Sequence, residues 1–457
     1  MAQQRIFARE VLTPAGWRRD QTVEIDAAGR IGAITDGADA TDISVGALLP
    51  APGNAHSHSF QRAMAGLTEY RGAKNPRDDF WTWRALMYHF VERLTPDDIE
   101  AIAAQVQMEM LESGFAAIGE FHYLHHQADG TPYDNPGELA DRIIAAAKET
   151  GIGYTHLPVL YMRGGMDGRP LAGGQRRFGC TLDQFARLHS DCRTLLKSLA
   201  GDARLGVAPH SLRAVDAKAL AFAAGLDNKA PVHIHAAEQV GEVEEALTHL
   251  GARPVEWLLD NANADARWCF IHATQMTGGE VRRLAASGAV AGLCPITEAN
   301  LGDGIFPARD YLSAGGAIAI GSDSNIRISL SEELRALEHS QRLRDRQRAV
   351  LAEVNKSCGR VLLEATAQGG ARALARDAGR IEPGALADLV AIDHAHPTLA
   401  GLSGDRLLDA WIFAGDDRLV TDVWAAGRHL VTGGRHVRRE TIAQRFNNVM
   451  ARLRADL

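Results

Sequence analysis

Short apolar runs alternate with longer amphipathic segments through the middle of the chain. Eight apolar runs of strand length end near positions 58, 122, 160, 211, 238, 274, 295 and 324. Between them lie segments with helical spacing of apolar residues, such as 136–150, 181–200, 240–250 and 278–288. Apolar strands that alternate with helices are typical of a parallel sheet covered on both faces. Eight such units predict an α/β fold with a (β/α)₈ TIM-type barrel, although a doubly wound open sheet has the same pattern.

The two ends of the chain have a different pattern. Short strand-like runs separated by turns occupy residues 5–45 and return after residue 380, as in ADLVAI and VTDVWAAG. We expect these runs to form a small composite β-sandwich domain from both chain ends. The predicted units are 1–48 and 381–435 for that domain, 49–380 for the barrel and 436–457 for a C-terminal helix.

The predicted C-terminal helix is amphipathic. Its apolar residues recur at helical spacing: Ile442, Phe446, Met450 and Leu453. An apolar stripe of this kind packs either against its own barrel, which we favour, or against a second copy of the chain. A homodimer is therefore one expected assembly.

Composition narrows the class of protein. The 457 residues are 46% hydrophobic and 23% charged, which is typical of a globular protein. The 49 basic and 57 acidic residues give a net charge of −8, which disfavours binding to nucleic acid or to an anionic membrane. No apolar run approaches the ~18 residues of a membrane helix, and the N-terminus does not resemble a signal peptide. Five cysteines without a CxxC pair suggest free thiols, so we expect a cytoplasmic protein.

Two histidines end the first apolar run of the predicted barrel. His56 and His58 are two residues apart, so on a strand both side chains point to one face. Two imidazoles in this arrangement form a natural clamp for a divalent metal ion. Ordinary polar positions have the same spacing, so this pair alone is weak evidence for a metal site.

The fifth apolar run ends in HIHAAE, which contains His233, His235 and Glu238. One of these histidines is suited to bind a metal ion, and Glu238, just beyond the strand, is suited to transfer protons. We interpret His233 as a packing residue of the barrel. The alternative role for Glu238 is a carboxylate at the start of the next helix.

His272 follows the sixth run and Asp323 follows the eighth. Alone, the first would be an ordinary core histidine and the second a helix cap. Together with the residues above, however, they place ligand-type side chains after the first, fifth, sixth and eighth strands. The C-terminal ends of these strands form the face on which barrel enzymes have their active sites. This combination predicts a metal-dependent enzyme.

These residues also resemble a known family. The HxH, HxxE, isolated His and SD pattern is similar to the deaminase branch of the amidohydrolase superfamily. Longer stretches between residues 54 and 325 resemble the bacterial formimidoylglutamate deiminases of histidine degradation. They are NAHSHSFQRAMAGLTEY, DFWTWRALMY, EFHYLHH, APHSLRAV, HIHAAEQ, GLCPITEANLGDGIFP and IGSDSN. The β-rich chain ends fit the additional domain of the superfamily.

The resemblance implies one Zn²⁺ per chain. The implied ligands are His56, His58, His235 and Asp323. Fe²⁺, Mn²⁺ or Co²⁺ would also suit imidazole and carboxylate ligands. Relatives with two metal ions need a carboxylated lysine on a barrel strand, and no predicted strand here contains a lysine. The six lysines are Lys74, Lys148, Lys197, Lys218, Lys229 and Lys356.

The implied reaction is hydrolysis of N-formimidoyl-L-glutamate to N-formyl-L-glutamate and ammonia. A zinc ion lowers the pKa of bound water from ~15.7 to about 7. Asp323 would accept a proton from this water, His272 would orient the attacking oxygen, and Glu238 would protonate the imine nitrogen. Which of Asp323 and Glu238 takes the first proton stays open.

The implied substrate is a small-molecule dicarboxylate amidine, so we expect arginines in the pocket, since they bind carboxylates bidentately. Arg213 follows the fourth predicted strand, and Arg84 lies in the long loop after the first. The resemblance implies that one carboxylate is bound by Gln61, Tyr123, His210 and Arg213. The other carboxylate would be bound by Arg84.

Two positions depart from the resemblance. Gln275 and Asn325 stand where we would expect histidine. The nearest alternative function is another deaminase of the same superfamily, acting on a purine, pyrimidine or triazine ring. Trp81 and Trp83 keep that alternative open, because ring substrates stack on aromatic side chains. A non-catalytic scaffold protein is a further alternative, but it would need none of the implied ligands.

Overall fold

The computed structural model describes residues 4–38, 43–69 and 80–455, without the side chains of residues 80–82, 85 and 89. The N-terminal segment forms four strands: β1 (Gln4–Thr13), β2 (Gly16–Ile25), β3 (Ile31–Asp36) and β4 (Ile43–Pro50). β1 pairs antiparallel with β2 and parallel with β4. The turn between β2 and β3 is stabilised by Asp26, whose carboxylate accepts hydrogen bonds from the N–H groups of Ala28 and Arg30.

The middle of the chain forms a closed parallel barrel. Its strands are β5 (Gly53–Ser57), β6 (Ala117–His122), β7 (Gly153–Leu160), β8 (Arg204–Leu205), β9 (Ala208–Pro209), β10 (Val232–Ala236), β11 (Trp268–His272), β12 (Val290–Leu293) and β13 (Ala317–Ile320). Neighbours pair in chain order, and β13 pairs with β5. Backbone bridges from Val207 to Val232 and from Ser211 to His235 join the fourth strand position to β10. The predicted (β/α)₈ barrel is therefore confirmed.

Two barrel strands differ from their predicted extents. The first apolar run is split, because β4 ends at Pro50 in the other sheet and β5 begins the barrel at Gly53. The fourth run forms two short strands, β8 and β9, on either side of Gly206 and Val207. Glycine weakens a strand interior, and Pro209 has no N–H to donate, so regular pairing is interrupted there.

Helices cover the outside of the barrel. They are α1 (Phe80–Val91), α2 (Pro96–Glu112), α3 (Glu138–Thr150), α4 (Leu182–Leu195), α5 (Ala217–Gly225), α6 (Val240–Leu250), α7 (Pro254–Asn261), α8 (Gly278–Ser287), α9 (Pro295–Leu301), α10 (Ala308–Ser313), α11 (Leu330–Asp345), α12 (Cys358–Ala373), α13 (Asp405–Ala414) and α14 (Arg439–Arg454). Three of them begin at a threonine whose hydroxyl accepts the N–H three residues ahead: Thr95, Thr181 and Thr277. On α12, a Cβ at Gly369 would lie 1.8 Å from the Ile318 carbonyl oxygen, so glycine lets this helix contact the barrel backbone.

The second sheet is built from both chain ends. The C-terminal part adds β14 (Leu389–Ile392), β15 (Val420–Ala425), β16 (Arg428–Thr432) and β17 (Arg435–His436). Within the described residues the strand order is β17-β16-β15-β14-β4-β1-β2-β3. Apolar side chains from both ends share one core, including Ile6, Val23, Leu48, Leu389 and Trp424. A composite β-domain is thus confirmed, whereas its predicted residue boundaries stay a prediction.

The C-terminal helix α14 packs against α2 of the same chain. Ile442, Met450 and Leu453 are buried, and Phe446 is half-buried. The favoured interpretation of this stripe therefore agrees with the structure. Among the helices of the described residues, none is long and apolar enough to cross a membrane.

Candidate active site

Three imidazoles and one carboxylate converge at the C-terminal end of the barrel. His56 Nε2 lies 3.1 Å from Nε2 of His58 and 3.1 Å from Nε2 of His235. Asp323 Oδ1 lies 3.5 Å from His56 Nε2 and 3.4 Å from His58 Nε2. Zn–N bonds of ~2.05 Å in a tetrahedral site separate ligand atoms by about 3.3 Å. The spacing of this four-residue cluster therefore fits one bound metal ion.

Backbone carbonyls orient two of these rings. His58 Nδ1 donates to the Phe121 carbonyl oxygen on β6 over 3.0 Å, and His235 Nδ1 donates to the His210 carbonyl oxygen over 3.1 Å. With the proton held on Nδ1, the lone pair of each ring is on Nε2 and faces the cluster. Hydrogen bonds of this kind fix the tautomer of histidines that bind metals.

Burial sets the charge of the cluster. It lowers the pKa of His56 to about 3 and also lowers the pKa values of His58 and His235, so these imidazoles are neutral near pH 7. Burial raises the pKa of Asp323, but a hydrogen bond from His56 and nearby imidazoles outweigh it and hold that pKa below its usual range. Three neutral nitrogens and one carboxylate form a donor set suited to a divalent cation.

His272 and Glu238 lie beside the cluster. His272 Nε2 is 3.7 Å from Glu238 Oε1 and 3.8 Å from Asp323 Oδ2. Both His272 (φ 67°) and Asp323 (φ 46°) have left-handed backbone conformations, which are costly for non-glycine residues and concentrate at functional sites. The turns after β11 and β13 thus point these side chains inward.

Burial and neighbouring charges perturb this pair. Burial raises the pKa of Glu238, against the opposing effects of His272 and Arg213. Burial lowers the pKa of His272, but Glu238 and then a hydrogen bond to Glu298 outweigh it, so the pKa rises to about 10. The site therefore places an imidazole with a raised pKa between the carboxyl groups of Glu238 and Glu298.

A cavity of about 530 Å³, partly open to solvent, lies above the cluster. All five predicted substrate-binding residues line it, together with Glu238, His272 and three cluster residues. The predicted five are Gln61, Arg84, Tyr123, His210 and Arg213. Residues from β5, β6, β9 and β10 and from the segments that follow them thus meet in one space.

Hydrogen-bond donors surround this cavity. Arg213 is 7% exposed, and its Nη2 lies 3.9 Å from Glu238 Oε2. Arg84 Nη2 donates to the Tyr161 hydroxyl over 3.0 Å. Gln61 Nε2 donates to the Tyr123 hydroxyl over 2.8 Å. Guanidinium, amide and phenol groups in one pocket are suited to bind carboxylates.

Comparisons with known proteins agree with this arrangement. The sequence matches the amidohydrolase family over residues 47–430. The chain belongs to the amidohydrolase family. Residues 3–42 match a second family, described as "Formimidoylglutamate deiminase HutF, N-terminal domain". Membership makes this amidohydrolase a metal-dependent hydrolase that acts on C–N bonds.

Individual relatives span nearly the whole chain. A formimidoylglutamate deiminase of Pseudomonas aeruginosa is 49% identical over 98% of this amidohydrolase and 99% of its own length. A 5-methylthioadenosine/S-adenosylhomocysteine deaminase of Natronomonas pharaonis is 28% identical over 87% and 86% of the two chains. The crystal structure of an amidohydrolase from Brucella melitensis, 47% identical, superposes with a TM-score of 0.94 and covers 99% of this chain and 100% of its own.

The two departures from the resemblance have structural roles in this amidohydrolase. The Asn325 amide donates to the Ser57 hydroxyl over 3.1 Å and to the carbonyl oxygens of His58 and Asp323. Gln275 Nε2 donates to the Asp303 carbonyl oxygen and connects the loop after α9 to the site. Asn325 therefore connects the two strand ends that carry His58 and Asp323.

Sequence reasoning missed several side chains of the site, and two of them contact predicted site residues. Glu298 on α9 contacts His272 Nδ1 at 3.2 Å, and the Tyr161 hydroxyl accepts hydrogen bonds from Arg84 and from Gln175. Tyr161 directly follows the third apolar run, and Glu298 lies three residues after the seventh, so their position behind a run was the available signal.

Three further residues were discussed in the sequence analysis: Trp81, Trp83 and His233. Trp83 lines the cavity, whereas the side chain of Trp81 lies outside the described residues. His233 Nε2 donates to the Ala373 carbonyl oxygen over 2.8 Å and does not join the cluster. This contact agrees with a packing role for His233.

Proposed function

We propose that this amidohydrolase hydrolyses N-formimidoyl-L-glutamate to N-formyl-L-glutamate and ammonia, as a step of histidine degradation. One observation carries the proposal: buried Arg213 lies beside Glu238 in the same cavity as the histidine–aspartate cluster. A guanidinium at that position suits a substrate whose carboxylate must be held close to the reacting amidine. The 49% identity to the Pseudomonas aeruginosa deiminase supports the same substrate.

The proposed metal is a single zinc ion, held by His56, His58, His235 and Asp323. Nitrogen and oxygen ligands in a set of four are typical of zinc sites. When bound, zinc makes water a competent nucleophile near pH 7. All four residues are buried in the part of the chain that the structure describes, and their ligand atoms lie close enough together to hold one metal ion.

Glu238 is the proposed proton-transfer residue for the substrate. Its Oε1 faces His272 and its Oε2 faces Arg213, so its carboxyl group lies between the cluster and the proposed carboxylate site. Because burial raises its pKa, Glu238 holds a proton more readily than an exposed glutamate. In this position it protonates the imine nitrogen. The amine then takes the proton that Asp323 accepts from the attacking water and leaves as ammonia, and the remaining hydroxyl proton returns to Glu238 as the formyl C=O forms.

Asp323 and His272 are the residues proposed to act on the attacking water. The low pKa of Asp323 keeps this carboxylate ionised, so it is suited to accept the proton that the attacking water loses. His272 Nε2, 3.8 Å from Asp323 Oδ2, is placed to orient the attacking oxygen. The raised pKa of Glu238 and the lowered pKa of Asp323 support an acid role for Glu238 and a base role for Asp323 in this proposal.

The remaining lining residues orient the substrate. Arg213, with Gln61, Tyr123 and His210, binds one carboxylate in this proposal, and Arg84 binds the other. Tyr161 supports Arg84 through the 3.0 Å hydrogen bond to its hydroxyl. Two anchored carboxylates hold the amidine in one orientation over the cluster, which lowers the entropic cost of reaction.

Ammonia release from N-formimidoyl-L-glutamate by the zinc-loaded protein tests the proposal. Comparison substrates are 5-methylthioadenosine, adenine, guanine and cytosine. We expect one equivalent each of ammonia and N-formylglutamate from the amidine and none from the rings. Ammonia from a ring substrate alone would reject the proposed substrate.

The Arg213→Gln variant tests the carboxylate site directly. We expect kcat/KM for the amidine to fall at least ~30-fold, because removing one partner of a buried charge pair costs roughly 2–5 kcal/mol. Arg327→Gln is the matched control, since Arg327 follows β13 at the same end of the barrel but is exposed. Unchanged kcat/KM in Arg213→Gln would contradict the carboxylate role.

A further inference from the structure

Helix α9 follows β12 at the edge of the active site and carries a buried carboxylate, Glu298. Its Oε1 lies 3.2 Å from His272 Nδ1 and accepts a second hydrogen bond, of 2.8 Å, from the backbone N–H of Cys294. Glu298 is 5% exposed. Two donors on one buried oxygen fix this carboxylate at the start of α9, where it faces the side of His272 that is turned away from the cluster.

His272 depends on such a contact for its orientation. Its backbone is left-handed, as is that of Ala273 (φ 48°), so the ring extends from the tight turn in which β11 ends. Its Nε2 points between Glu238 and Asp323. A half-turn of the ring about χ2 would place a carbon atom where Nε2 now lies and would remove the polar atom from the reacting centre.

We propose that Glu298 is a positioning residue that accepts the Nδ1–H of His272 and thereby holds His272 Nε2 toward the reacting atoms. The inference rests on the proposed function, because it concerns how His272 acts in the deimination. Glu298 is not among the described residues that line the cavity, so it acts through His272 and not on the substrate. For histidines that bind metals, removal of the carboxylate that orients the ring typically lowers activity or metal affinity by 10- to 100-fold, and we expect an effect of this size for His272.

The same helix also supports the other side of the site. The Thr297 hydroxyl donates to the Ser322 carbonyl oxygen over 3.2 Å and contacts the Ser324 hydroxyl at 3.0 Å, on either side of Asp323. Adjacent residues of α9 thus reach His272 and the Asp323 turn. A general disturbance of α9 must therefore be separated from loss of the Glu298 contact.

Glu333 on α11 provides the matched control. It is buried, and its Oε2 accepts a hydrogen bond from the backbone N–H of Ile296 on α9 over 2.9 Å. Glu333→Gln changes a second buried carboxylate that binds the same helix, and no contact between Glu333 and His272 is present in the described structure. The Glu333→Gln variant therefore shows how far a purely structural change in α9 alters kcat.

The kinetic test compares Glu298→Gln, Glu298→Ala and Glu333→Gln, each with its metal content measured. We expect kcat to fall roughly 10-fold in Glu298→Gln, which keeps an acceptor oxygen, and about 100-fold in Glu298→Ala, with KM changed less than ~3-fold. Glu333→Gln should stay within about 2-fold of the original kcat. A Glu298→Ala enzyme with unchanged kcat, or with only KM changed, would overturn the proposal.

NMR of ¹⁵N-histidine-labelled, metal-loaded protein provides a readout that does not need turnover. We expect a downfield Nδ1–H resonance of His272, assigned by its loss in His272→Asn, that is present in Glu333→Gln and absent in Glu298→Ala. Persistence of this resonance in Glu298→Ala would overturn the inference. If the alanine variant does not fold, Glu298→Gln decides instead: we expect its His272 Nδ1–H resonance to shift upfield, and an unshifted resonance would overturn the inference. Should the original protein release no ammonia, the proposed function fails while this NMR comparison still tests Glu298.

Discussion

Two histidines on β10 have the same chemistry but different surroundings. His235 Nε2 lies 3.1 Å from His56 Nε2, whereas His233 Nε2 donates to the Ala373 carbonyl oxygen. We expect His235→Ala to lose bound metal and activity together, because the three remaining ligands hold the ion weakly. Metal analysis after dialysis, with an ammonia-release assay, measures both effects.

His233→Asn is the control for that experiment. It should keep its metal and its activity but lose about 1–3 kcal/mol of unfolding free energy, since the buried Ala373 carbonyl group loses its donor. Equal metal loss in both variants would show that the two histidines are not functionally distinct.

The sequence predicts those side chains of the site that a strand position determines. His56, His58, His235, His272 and Asp323 end parallel strands, and parallel strand ends of a barrel meet on one face. Glu298 and Tyr161 were not predicted. Their contacts depend on how α9 and the loop after β7 fold back over the barrel, and periodicity along the chain contains no information about that packing.

At the scale of elements, a buried polar network connects the first and last barrel strands. Asn54 at β5 donates to the Ser322 hydroxyl over 2.7 Å, and that hydroxyl donates to Asn325 Oδ1 over 2.6 Å. Asn325 in turn donates to the His58 and Asp323 carbonyl oxygens. These bonds supplement the short pairing of β13 with β5, so they hold the two halves of the candidate metal site together.

We therefore expect Asn325→Ala to weaken metal binding by roughly 10- to 100-fold, because groups that orient metal ligands have effects of this size. Titration of the metal-free protein against a competing chelator measures the change. Asn300→Ala is the control, since the exposed Asn300 amide bonds only to Glu69 among the described contacts. An unaltered metal affinity in Asn325→Ala would contradict the role of the network.

The order of strands was more predictable than their extents. Apolar runs and intervening amphipathic segments indicated a barrel with the first run near His58. They did not indicate that this run is shared between two sheets, because β4 and β5 have the same apolar character. Their assignment is decided by pairing partners, β1 and β14 for the one and β6 and β13 for the other.

At the scale of the whole molecule, a buried ion network connects the barrel to the β-domain. Arg376 lies between Asp202 and Asp388, with 3.0 Å contacts to both, and Arg428 on β16 binds Asp202 over 2.8 Å. Arg376 is 5% exposed. The Asp388 carboxylate also accepts the Ala426 N–H, which ties the network to the β-domain sheet.

Arg376→Leu should lower the free energy of unfolding by about 3–5 kcal/mol, because it leaves buried Asp388 without the cation that it pairs with and leaves Asp202 with Arg428 alone. Since Arg376 lies beside Gly153, the first residue of β7, the network is at the opposite end of the barrel from the site, and kcat of the folded fraction should not change. Urea unfolding measures the loss. Arg418→Leu, which removes only an exposed pair with Asp416, should leave the free energy of unfolding nearly unchanged. Equal losses in both variants would contradict the importance of burial.

Several buried histidines outside the candidate metal cluster make the fold sensitive to acid. Burial lowers the pKa of His125, His189 and His233 to about 4 and that of His156 to about 3. In the unfolded chain these groups have pKa values near 6.5. At these histidines the unfolded state therefore binds more protons between pH 6.5 and about 4, so their contribution to stability is greatest above pH 6.5 and falls as the pH decreases through this window.

A histidine whose pKa falls from 6.5 to about 4 makes the protein roughly 2 kcal/mol less stable at pH 5.0 than at pH 7.5. The measurement is urea unfolding of metal-free protein at both pH values, so that metal release does not contribute. His156→Gln, which removes one of these groups, should reduce the pH dependence by a similar amount, because glutamine does not titrate. An identical pH dependence in the two proteins would show that His156 is not protonated on unfolding, and that acid sensitivity arises elsewhere in the molecule.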